Sequence, residues 1–481
     1  MESHEEVKSG VDLLLVFPPL SSGLAYGSHE QFKNIDVGVY PPLGLMYISS
    51  YLGRYSDYTV KILDAVAEKI SHEQLADEIR KINPRIVGIY TSCFTIYDSY
   101  KVARTVKGLN KEIQVILGGP HIEIYPEETL SLSDVDFIVM GEGEMVVLEL
   151  LDAVSGKGRF SEIKGAGYKE NGRFVINERR PMISNLDEIP FPDRTATDYT
   201  KYYSLIGNNA VSTVIMSSRG CPHRCNFCYV PYQGSLRLRS AQNVIQELEE
   251  CVQLGIREFF FFDENFTLNK RLVSEICDGI VDKKLNIDFY IRSRVDTLNE
   301  DILSKLKRAG CNRIQFGVES GSPRVLEIMN KRIKVEQIRR VFAMVKKFDI
   351  PIYADFMLGY PTETMEEMKQ TIAFAKELDP AYVQFGVTML LPRTKIYEDA
   401  LESGFLEEDF WRNLAANPAG DVLCPLASGE YARQELDAML REAHVQFYFR
   451  FKFLVRKLLS IRSPLELKRQ MRAGLALLVG R

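Results

Sequence analysis

The sequence predicts an α/β protein with two successive sets of βα units and a helical C-terminal region. In residues 12–152, apolar runs typical of strands alternate with helical patterns, which indicates a doubly wound sheet of ordinary domain size. In residues 211–390, a second series of apolar runs alternates with amphipathic stretches and predicts another, mainly parallel sheet. Residues 401–481 show helical patterns.

Small residues follow three of the five strands of the first series. The runs are DLLLVF (12–17), TVKILD (59–64), RIVGIYTS (85–92), VILGG (115–119) and DFIVMGEG (136–143). Ligands bind beyond the carboxyl ends of such sheets, and glycine lets the backbone approach a ligand closely. Any flavodoxin-like sheet needs similar turns, so the turns alone do not identify a ligand. The residues at these ends are Thr91, Ser92, Gly118, Gly119, Gly141, Glu142 and Gly143.

The second series has six candidate strands with polar residues after them. They are VSTVIMSS (211–218), EFFFFDENF (258–266), FYIRSR (289–294), RIQFGVES (313–320), IYADFMLGYP (352–361) and YVQFGVTML (382–390). Active sites of βα barrels gather at the carboxyl ends of the strands. The polar strand ends are therefore candidate site residues.

Three cysteines follow the first of these strands, in the stretch SRGCPHRCNFCYV (218–230). The chain has eight cysteines and begins with polar residues, which favours a reducing compartment and argues against disulfides. Structural zinc needs four ligands, and the candidate in this loop, His223, is badly placed between the cysteines. Cysteine thiolates normally hold all four irons of an iron–sulfur cube, so Cys221, Cys225 and Cys228 would leave one iron free. The pattern favours the cluster.

The spacing C-x3-C-x2-C, with Phe227 before the last cysteine, resembles the signature of the radical S-adenosylmethionine (SAM) enzymes. The resemblance implies that Cys221, Cys225 and Cys228 bind a 4Fe–4S cluster whose free iron chelates SAM. Cleavage of SAM then gives a 5′-deoxyadenosyl radical, which abstracts hydrogen from the substrate. It also implies that residues 211–400 form a partial (β/α)6 barrel.

The same resemblance assigns SAM contacts to the strand ends. The acids after the second strand would receive the SAM amino group, although an acid-rich helix start is an equal alternative. The end of the fourth strand would hold the ribose. The arginines that close the third strand, Arg292 and Arg294, could pair with a carboxylate or form a surface ion pair. The glycine after the fifth strand would belong to the adenine loop. The predicted SAM residues are Asp263, Glu264, Arg294, Glu319, Ser320 and Gly359.

Placed directly before such a barrel, residues 10–155 resemble the cobalamin-binding domain of one radical SAM subfamily, with residues 156–210 as a linker. The resemblance implies cobalamin contacts at the seven strand-end residues named above. Many cobalamin domains ligate cobalt through D-x-H-x-x-G, but here Asp64 is followed two places later by Val66. We therefore expect no histidine on cobalt. His121 is expected to be a structural or nucleotide-tail contact.

The resemblance implies a cobalamin-dependent radical SAM methyltransferase that acts on an unactivated carbon of a small hydrophobic or lipid-like molecule. Similar proteins include anaerobic protoporphyrin ester cyclases and hopanoid methylases, so oxidative ring closure is an alternative. A sensor that does not turn over is a further alternative, but it would not need the SAM residues. A methylthiotransferase would need three more N-terminal cysteines, and only Cys93 is present.

Charge and composition suggest the partners. The net charge of −5 does not indicate the excess of positive charge that is typical of nucleic-acid-binding proteins. Residues 450–481 carry nine Lys or Arg and one acid, Glu466, in amphipathic patterns. Such a tail suggests contact with the inner face of a membrane, although packing against the barrel is an equal alternative. We expect a cytoplasmic enzyme that is supplied with electrons by a flavodoxin or ferredoxin.

Overall fold

The computed structural model describes residues 10–26, 38–204, 207, 210–230 and 232–460. They form two compact units. The first contains the described residues before 27, Val39–Tyr203 and Asp409–Leu423, and the second contains the remaining ones.

The first unit contains a seven-stranded sheet in the order β2-β1-β3-β4-β5-β6-β7. Strands β1 to β5 are parallel, and the hairpin β6–β7 adds two antiparallel strands beside β5. The strands are β1 (Leu13–Phe17), β2 (Val60–Asp64), β3 (Ile86–Tyr90), β4 (Gln114–Gly118), β5 (Phe137–Val139), β6 (Ala166–Glu170) and β7 (Arg173–Ile176). The helices are α1 (Leu43–Tyr55), α2 (Ala65–Glu68), α3 (His72–Ile82), α4 (Ile96–Leu109), α5 (Pro126–Ser131) and α6 (Gly143–Val154).

Helices cover both faces of this sheet because alternate residues of β1 point to opposite sides. Leu13 packs in one core with Leu52 of α1 and with residues of α6. Leu14 packs in the other core with Leu75 of α3 and Val102 of α4. Each fully buried leucine contributes roughly 2 kcal/mol of hydrophobic stabilisation. The predicted doubly wound fold is confirmed.

The second unit contains a six-stranded parallel sheet whose order follows the chain, β8-β11-β12-β13-β14-β15. The short antiparallel pair β9–β10 flanks the cysteine loop. The strands are β8 (Ser212–Ile215), β9 (Ser218–Arg219), β10 (Arg237–Leu238), β11 (Glu258–Phe261), β12 (Asp288–Ser293), β13 (Cys311–Glu319), β14 (Ile352–Leu358) and β15 (Tyr382–Val387). The arrangement is the predicted set of six βα units.

Helices connect these strands or follow the last of them, and each of the longest ones buries an apolar stripe. They are α7 (Ala241–Gln253), α8 (Lys270–Asp282), α9 (Glu300–Ala309), α10 (Pro323–Ile328), α11 (Val335–Lys347), α12 (Met365–Leu378), α13 (Lys395–Glu402), α14 (Phe410–Ala416, in the first unit), α15 (Arg433–Tyr448) and α16 (Phe451–Ser460). A capping box of Thr364 and Glu367 fixes the start of α12.

The strands of the second sheet have an apolar face and a polar face. Phe316 packs on Phe342 of α11, with ring centroids 5.5 Å apart, and Phe385 packs on His444 of α15 at 5.4 Å. Residues next to them in the strands, such as Gln315, therefore lie on the opposite, inner face. This face carries the polar side chains of the sheet.

The basic tail is described only up to residue 460. The predicted amphipathic stripes within 461–481 lie outside the described residues. None of the described helices is both long and apolar enough to cross a membrane.

Candidate functional site

The cysteine loop begins at a glycine that the local geometry requires. Gly220 has φ 91°, and a Cβ atom there would lie 2.6 Å from the Ser235 carbonyl oxygen. The Gly234 amide donates to the Cys221 carbonyl at 2.8 Å and closes the base of the loop. The loop therefore leaves β9 in one fixed direction.

Hydrogen bonds also tie the loop to the end of α10. The Asn226 side chain donates to the Ile328 carbonyl at 2.8 Å, and its backbone amide donates to the Met329 carbonyl at 3.0 Å. In return, the Asn330 side chain donates to the Arg224 carbonyl at 2.7 Å. Because both sides of the contact supply donors, the backbone between Cys221 and Cys228 is held by the protein itself.

The three thiols have an environment that suits cluster binding. Cys225 is buried, and Cys221 and Cys228 are half-buried. Burial raises the pKa of Cys221, and burial together with the nearby carboxylate of Glu264 raises the pKa of Cys228 to about 12. Thiolates at these positions therefore need a bound cation. In the described part of the chain no three Cys, His, Asp or Glu side chains converge on a single ion. A cluster that gives each thiolate its own iron needs no such convergence.

Arg294 lies beside these thiols and is held in a fixed orientation. One of its guanidinium nitrogens, Nη1, is 3.9 Å from the Sγ atom of Cys225. Nε and Nη2 each donate to the Asp296 carboxylate at 2.9 Å, and Nη2 also donates to the Lys331 carbonyl at 2.7 Å. The predicted SAM contact of Arg294 stays a prediction, because most of its donors are already used within the protein.

The two acids after β11 have different surroundings. Asp263 is fully buried and accepts hydrogen bonds from the Ser217 amide at 3.1 Å, from the Ser217 hydroxyl at 2.7 Å and from the Ser218 hydroxyl. Glu264 retains exposed surface, but the protein atoms around its carboxylate raise its pKa, and Arg292 opposes this effect. The Glu264 carboxylate also raises the pKa of Cys221 and of Cys228, so it lies near the loop.

The predicted ribose and adenine residues also have partners within the protein. Glu319, at φ 68°, accepts a hydrogen bond from Lys331 Nζ at 2.7 Å. Ser320 is buried, with its hydroxyl 3.1 Å from that of Thr371. Gly359 has φ 71°, and a Cβ atom there would lie 3.0 Å from the side chain of Leu436. Gly359 is therefore required by the backbone whatever the ligand.

The inner face of the sheet carries Asp355 and Gln315, which the sequence patterns did not indicate as site residues, beside Arg292. Asp355 accepts a hydrogen bond from the Gln315 side chain at 2.8 Å. Burial raises the pKa of Asp355 to about 7, and the carboxylate of Glu319 adds to this effect. The Arg292 guanidinium lies 4.9 Å from the ring centroid of Phe260 and 4.4 Å from that of Phe262. The sequence contains one signal for Asp355, because this aspartate interrupts the apolar run IYADFML.

In the first unit, the strand order puts the switch point between β1 and β3, where ligands bind in such sheets. Phe17 and Tyr90 end these two strands and stack with ring centroids 5.1 Å apart. Buried polar atoms without a partner in the described chain follow β1 and β4, namely Ser22 Oγ and His121 Nε2. Such atoms could hydrogen-bond to the amides of a corrin, and so the crevice fits cobalamin.

Most of the predicted cobalamin contacts have roles within the first unit. The Thr91 amide donates to the Gly118 carbonyl at 2.7 Å, and a Cβ atom on Gly119 would lie 2.6 Å from the Thr91 carbonyl oxygen. The Ser92 amide donates to the Thr95 hydroxyl at 2.8 Å. These contacts hold two strand-end loops together.

The loop after β5 differs from the loops after β3 and β4, because one of its glycines has open space beside it. Glu142 accepts a hydrogen bond from the Ile183 amide at 2.7 Å, and a Cβ atom on Gly143 would lie 3.0 Å from Ile48. Gly141, at φ 78°, has open space where its Cβ atom would be. Among the predicted glycines, Gly141 therefore leaves room for close approach of a ligand.

His121 and Asp64, the two residues considered above in relation to a cobalt ligand, are both buried in the protein. His121 is fully buried, its Nδ1 is 3.4 Å from Cys93 Sγ, and burial lowers its pKa to about 3. Asp64 caps α2 by accepting from the amides of Val66 and Ala67 at 3.0 and 3.1 Å. The absence of a histidine ligand to cobalt stays a prediction, and the burial of His121 is consistent with it.

Comparison with known proteins gives the family. The model of the radical SAM superfamily matches residues 215–375, and that of the B12 binding domain matches residues 37–151. An uncharacterized methyltransferase of Pyrococcus horikoshii is 36% identical over 92% of this chain and 94% of its own length. The anaerobic magnesium-protoporphyrin IX monomethyl ester cyclase of Rubrivivax gelatinosus is 29% identical over 75% of this chain and 66% of its own length.

A solved structure has the same fold. The radical SAM methyltransferase TsrM of Kitasatospora setae, determined with cobalamin and a 4Fe–4S cluster bound, matches with a TM-score of 0.70 and 16% identity. The match covers 91% of this chain and 88% of that one. The fold class and the cofactors predicted from the sequence are confirmed. The chain therefore belongs to the cobalamin-binding enzymes of the radical SAM superfamily, whose cofactors are a 4Fe–4S cluster, SAM and cobalamin.

Proposed function

We propose that this enzyme transfers a methyl group to an unactivated carbon of a small molecule. The observation that carries the proposal is the loop with three thiols at the carboxyl end of a parallel sheet, in a chain that also has a cobalamin domain. The relative named a methyltransferase, which matches this chain over almost its whole length, supports methyl transfer as the reaction.

In this proposal, different residues of the second unit bind the cluster and the different parts of SAM. Cys221, Cys225 and Cys228 would hold the cluster, and Glu264 would accept the SAM amino group, because its carboxylate lies near the loop. Glu319 would bind the ribose with its charge balanced by Lys331. When bound, the cluster with SAM supplies a 5′-deoxyadenosyl radical and cobalamin supplies the methyl group.

We further propose that the substrate is hydrophobic or lipid-like and is met at a membrane surface. Helix α16 supports this, because Phe451 is 82% exposed and the neighbouring Leu454 is also exposed. Arg450, Lys452 and Arg456 surround one carboxylate, that of Asp379, and so leave an excess of positive charge. Apolar side chains next to unbalanced cations suit an anionic membrane.

Oxidative ring closure without methyl transfer is the second candidate, since a relative named as a ring cyclase shares 29% of its residues with this chain over 75% of the chain. The two reactions differ in what happens to SAM. Methyl transfer consumes two SAM molecules, of which one gives 5′-deoxyadenosine and the other gives S-adenosylhomocysteine. Ring closure gives 5′-deoxyadenosine alone.

The test is mass spectrometry of the SAM products after anaerobic incubation of the reconstituted enzyme with candidate lipid and porphyrin extracts. We expect S-adenosylhomocysteine and 5′-deoxyadenosine in equal amounts, both dependent on the extract. The Cys225→Ala variant serves as the control and should give no 5′-deoxyadenosine above background and no more S-adenosylhomocysteine than one molecule per bound cobalamin. Extract-dependent 5′-deoxyadenosine without S-adenosylhomocysteine would contradict methyl transfer.

A further inference from the structure

The surface around the cysteine loop has an unusual charge pattern. Residues 211–240 contain four arginines and no aspartate or glutamate, although acidic residues outnumber basic ones in the whole chain, 65 against 60. Arg224, which directly precedes the cluster ligand Cys225, is exposed. The segment that packs against the loop adds exposed Arg332 and Lys334. We call these three residues the basic rim.

The basic rim is held in place by the same contacts that position the loop. The Asn330 side chain donates to the Arg224 carbonyl at 2.7 Å and accepts from Arg332 Nε at 2.9 Å. Asn330 and Arg332 have φ angles of 52° and 56°, so the chain turns sharply twice before Lys334 begins α11. A partner would therefore meet cations that are already positioned, which reduces the entropy lost on binding.

The cations of the basic rim lack the counter-charges that several other exposed cations of this unit have. Arg339 pairs with Glu377 at 2.6 Å, Arg324 pairs with Glu367 at 2.5 Å, and Lys395 pairs with Asp399. Within the described residues, no carboxylate lies within ion-pair distance of Arg224, Arg332 or Lys334. Unbalanced positive charge on one face attracts an acidic partner and speeds its association.

We propose that the basic rim is the docking surface for an acidic one-electron carrier protein, a reduced flavoprotein or iron–sulfur protein. The inference rests on the proposed function, which needs one electron for each SAM cleaved. The carrier loses one electron and the cluster held by the neighbouring cysteines gains it, and no atom is transferred. Electron transfer slows steeply with distance, so a productive partner must dock next to the loop, and the rim begins one residue from a cluster ligand.

Charge reversal on the reconstituted holoenzyme tests this proposal. Arg224→Glu combined with Arg332→Glu should slow reduction of the cluster by photoreduced flavodoxin on the order of tenfold at low salt, because the attraction becomes repulsion. The rate is read from the bleaching of cluster absorbance in a stopped-flow instrument. High salt should bring wild type and variant closer together, since screening weakens exposed charges.

Two controls separate docking from other effects. Arg308→Glu reverses an exposed cation at the end of α9, near the amino end of the sheet, and should leave the flavodoxin rate within twofold of wild type. Dithionite is a small reductant that needs no docking surface, and it should reduce the cluster equally in all variants. If the double glutamate variant binds less iron, Arg224→Gln with Arg332→Gln replaces it, and a loss of rate of about threefold is expected.

An unchanged flavodoxin rate in the rim variants, or an equal loss in Arg308→Glu, would overturn the docking site. Failure of dithionite to give a reduced, SAM-cleaving cluster in the wild type would overturn the proposed function itself, and this inference with it. The two failures are therefore distinguishable.

Discussion

At the scale of single residues, neighbours in the sequence have different roles because successive side chains of an extended segment point in opposite directions. Asp263 turns toward the end of β8, where three serine donors surround it, whereas Glu264 turns toward the cysteine loop. The serines belong to the segment that leads into the loop. Asp263 therefore positions the loop, and Glu264 is the acid left for a ligand.

Substitution of the two acids should separate these roles. Glu264→Gln removes the negative charge opposite the SAM amino group and should weaken SAM binding about tenfold without loss of iron, since a charge-assisted hydrogen bond is lost. Asp263→Asn removes an acceptor for buried hydroxyls and should lower the free energy of unfolding by about 1–3 kcal/mol. The measurements are SAM titration followed by electron paramagnetic resonance, and thermal unfolding. Wild-type SAM affinity in Glu264→Gln would refute the assignment.

Asp355 should make the stability of the second unit depend on pH. Its pKa is about 7 in the folded protein and near 3.8 in the unfolded chain, so the folded state holds its proton more tightly. The free energy of unfolding therefore falls as pH rises from 3.8 to about 7 and the effect is complete above that range. Asp355→Asn, which cannot ionise, should gain on the order of 2 kcal/mol over wild type between pH 5 and pH 8. Thermal unfolding without SAM measures this difference. If the stability of wild type and of Asp355→Asn changed with pH in the same way, the assignment would be contradicted.

At the scale of elements, the strands were predictable and their partners were not. The apolar runs in both series correspond to β1–β5 and to the six strands of the second sheet, because hydrophobic patterns of this kind follow from burial alone. The cysteine spacing predicts the cluster loop from residues that are neighbours in the sequence, and this assignment stays a prediction. The sequence could not show that Ser217 binds Asp263 or that Lys331 binds Glu319, since these pairs depend on how the strand ends and loops come together in the fold.

The N-terminal strand ends illustrate the same limit. Small residues at a strand end can serve a ligand or the packing of two loops, and only the structure distinguishes them. Gly119 must be glycine because of the Thr91 carbonyl, whereas Gly141 faces open space. Asp355 was missed because its strand reads as apolar, and its polar surroundings come from Gln315 on the neighbouring strand.

At the scale of the whole molecule, the chain joins a cobalamin unit to a radical SAM unit, and the proposed methyl transfer would require that SAM supply the methyl group that cobalamin carries. A ring cyclase with the same cofactors has no need of that step. The step can be observed without knowledge of the substrate. It therefore separates the proposed methyltransferase from its alternative.

The decisive measurement is the fate of SAM labelled with deuterium in its methyl group, added to the reduced, cobalamin-loaded wild-type enzyme. We predict labelled methylcobalamin and S-adenosylhomocysteine in a one-to-one ratio, detected by mass spectrometry. Cys225→Ala, loaded with cobalamin and chemically reduced, should still methylate cobalamin but form no 5′-deoxyadenosine, because that product needs the cluster. Wild-type enzyme that forms 5′-deoxyadenosine and leaves its cobalamin unlabelled would contradict the methyltransferase.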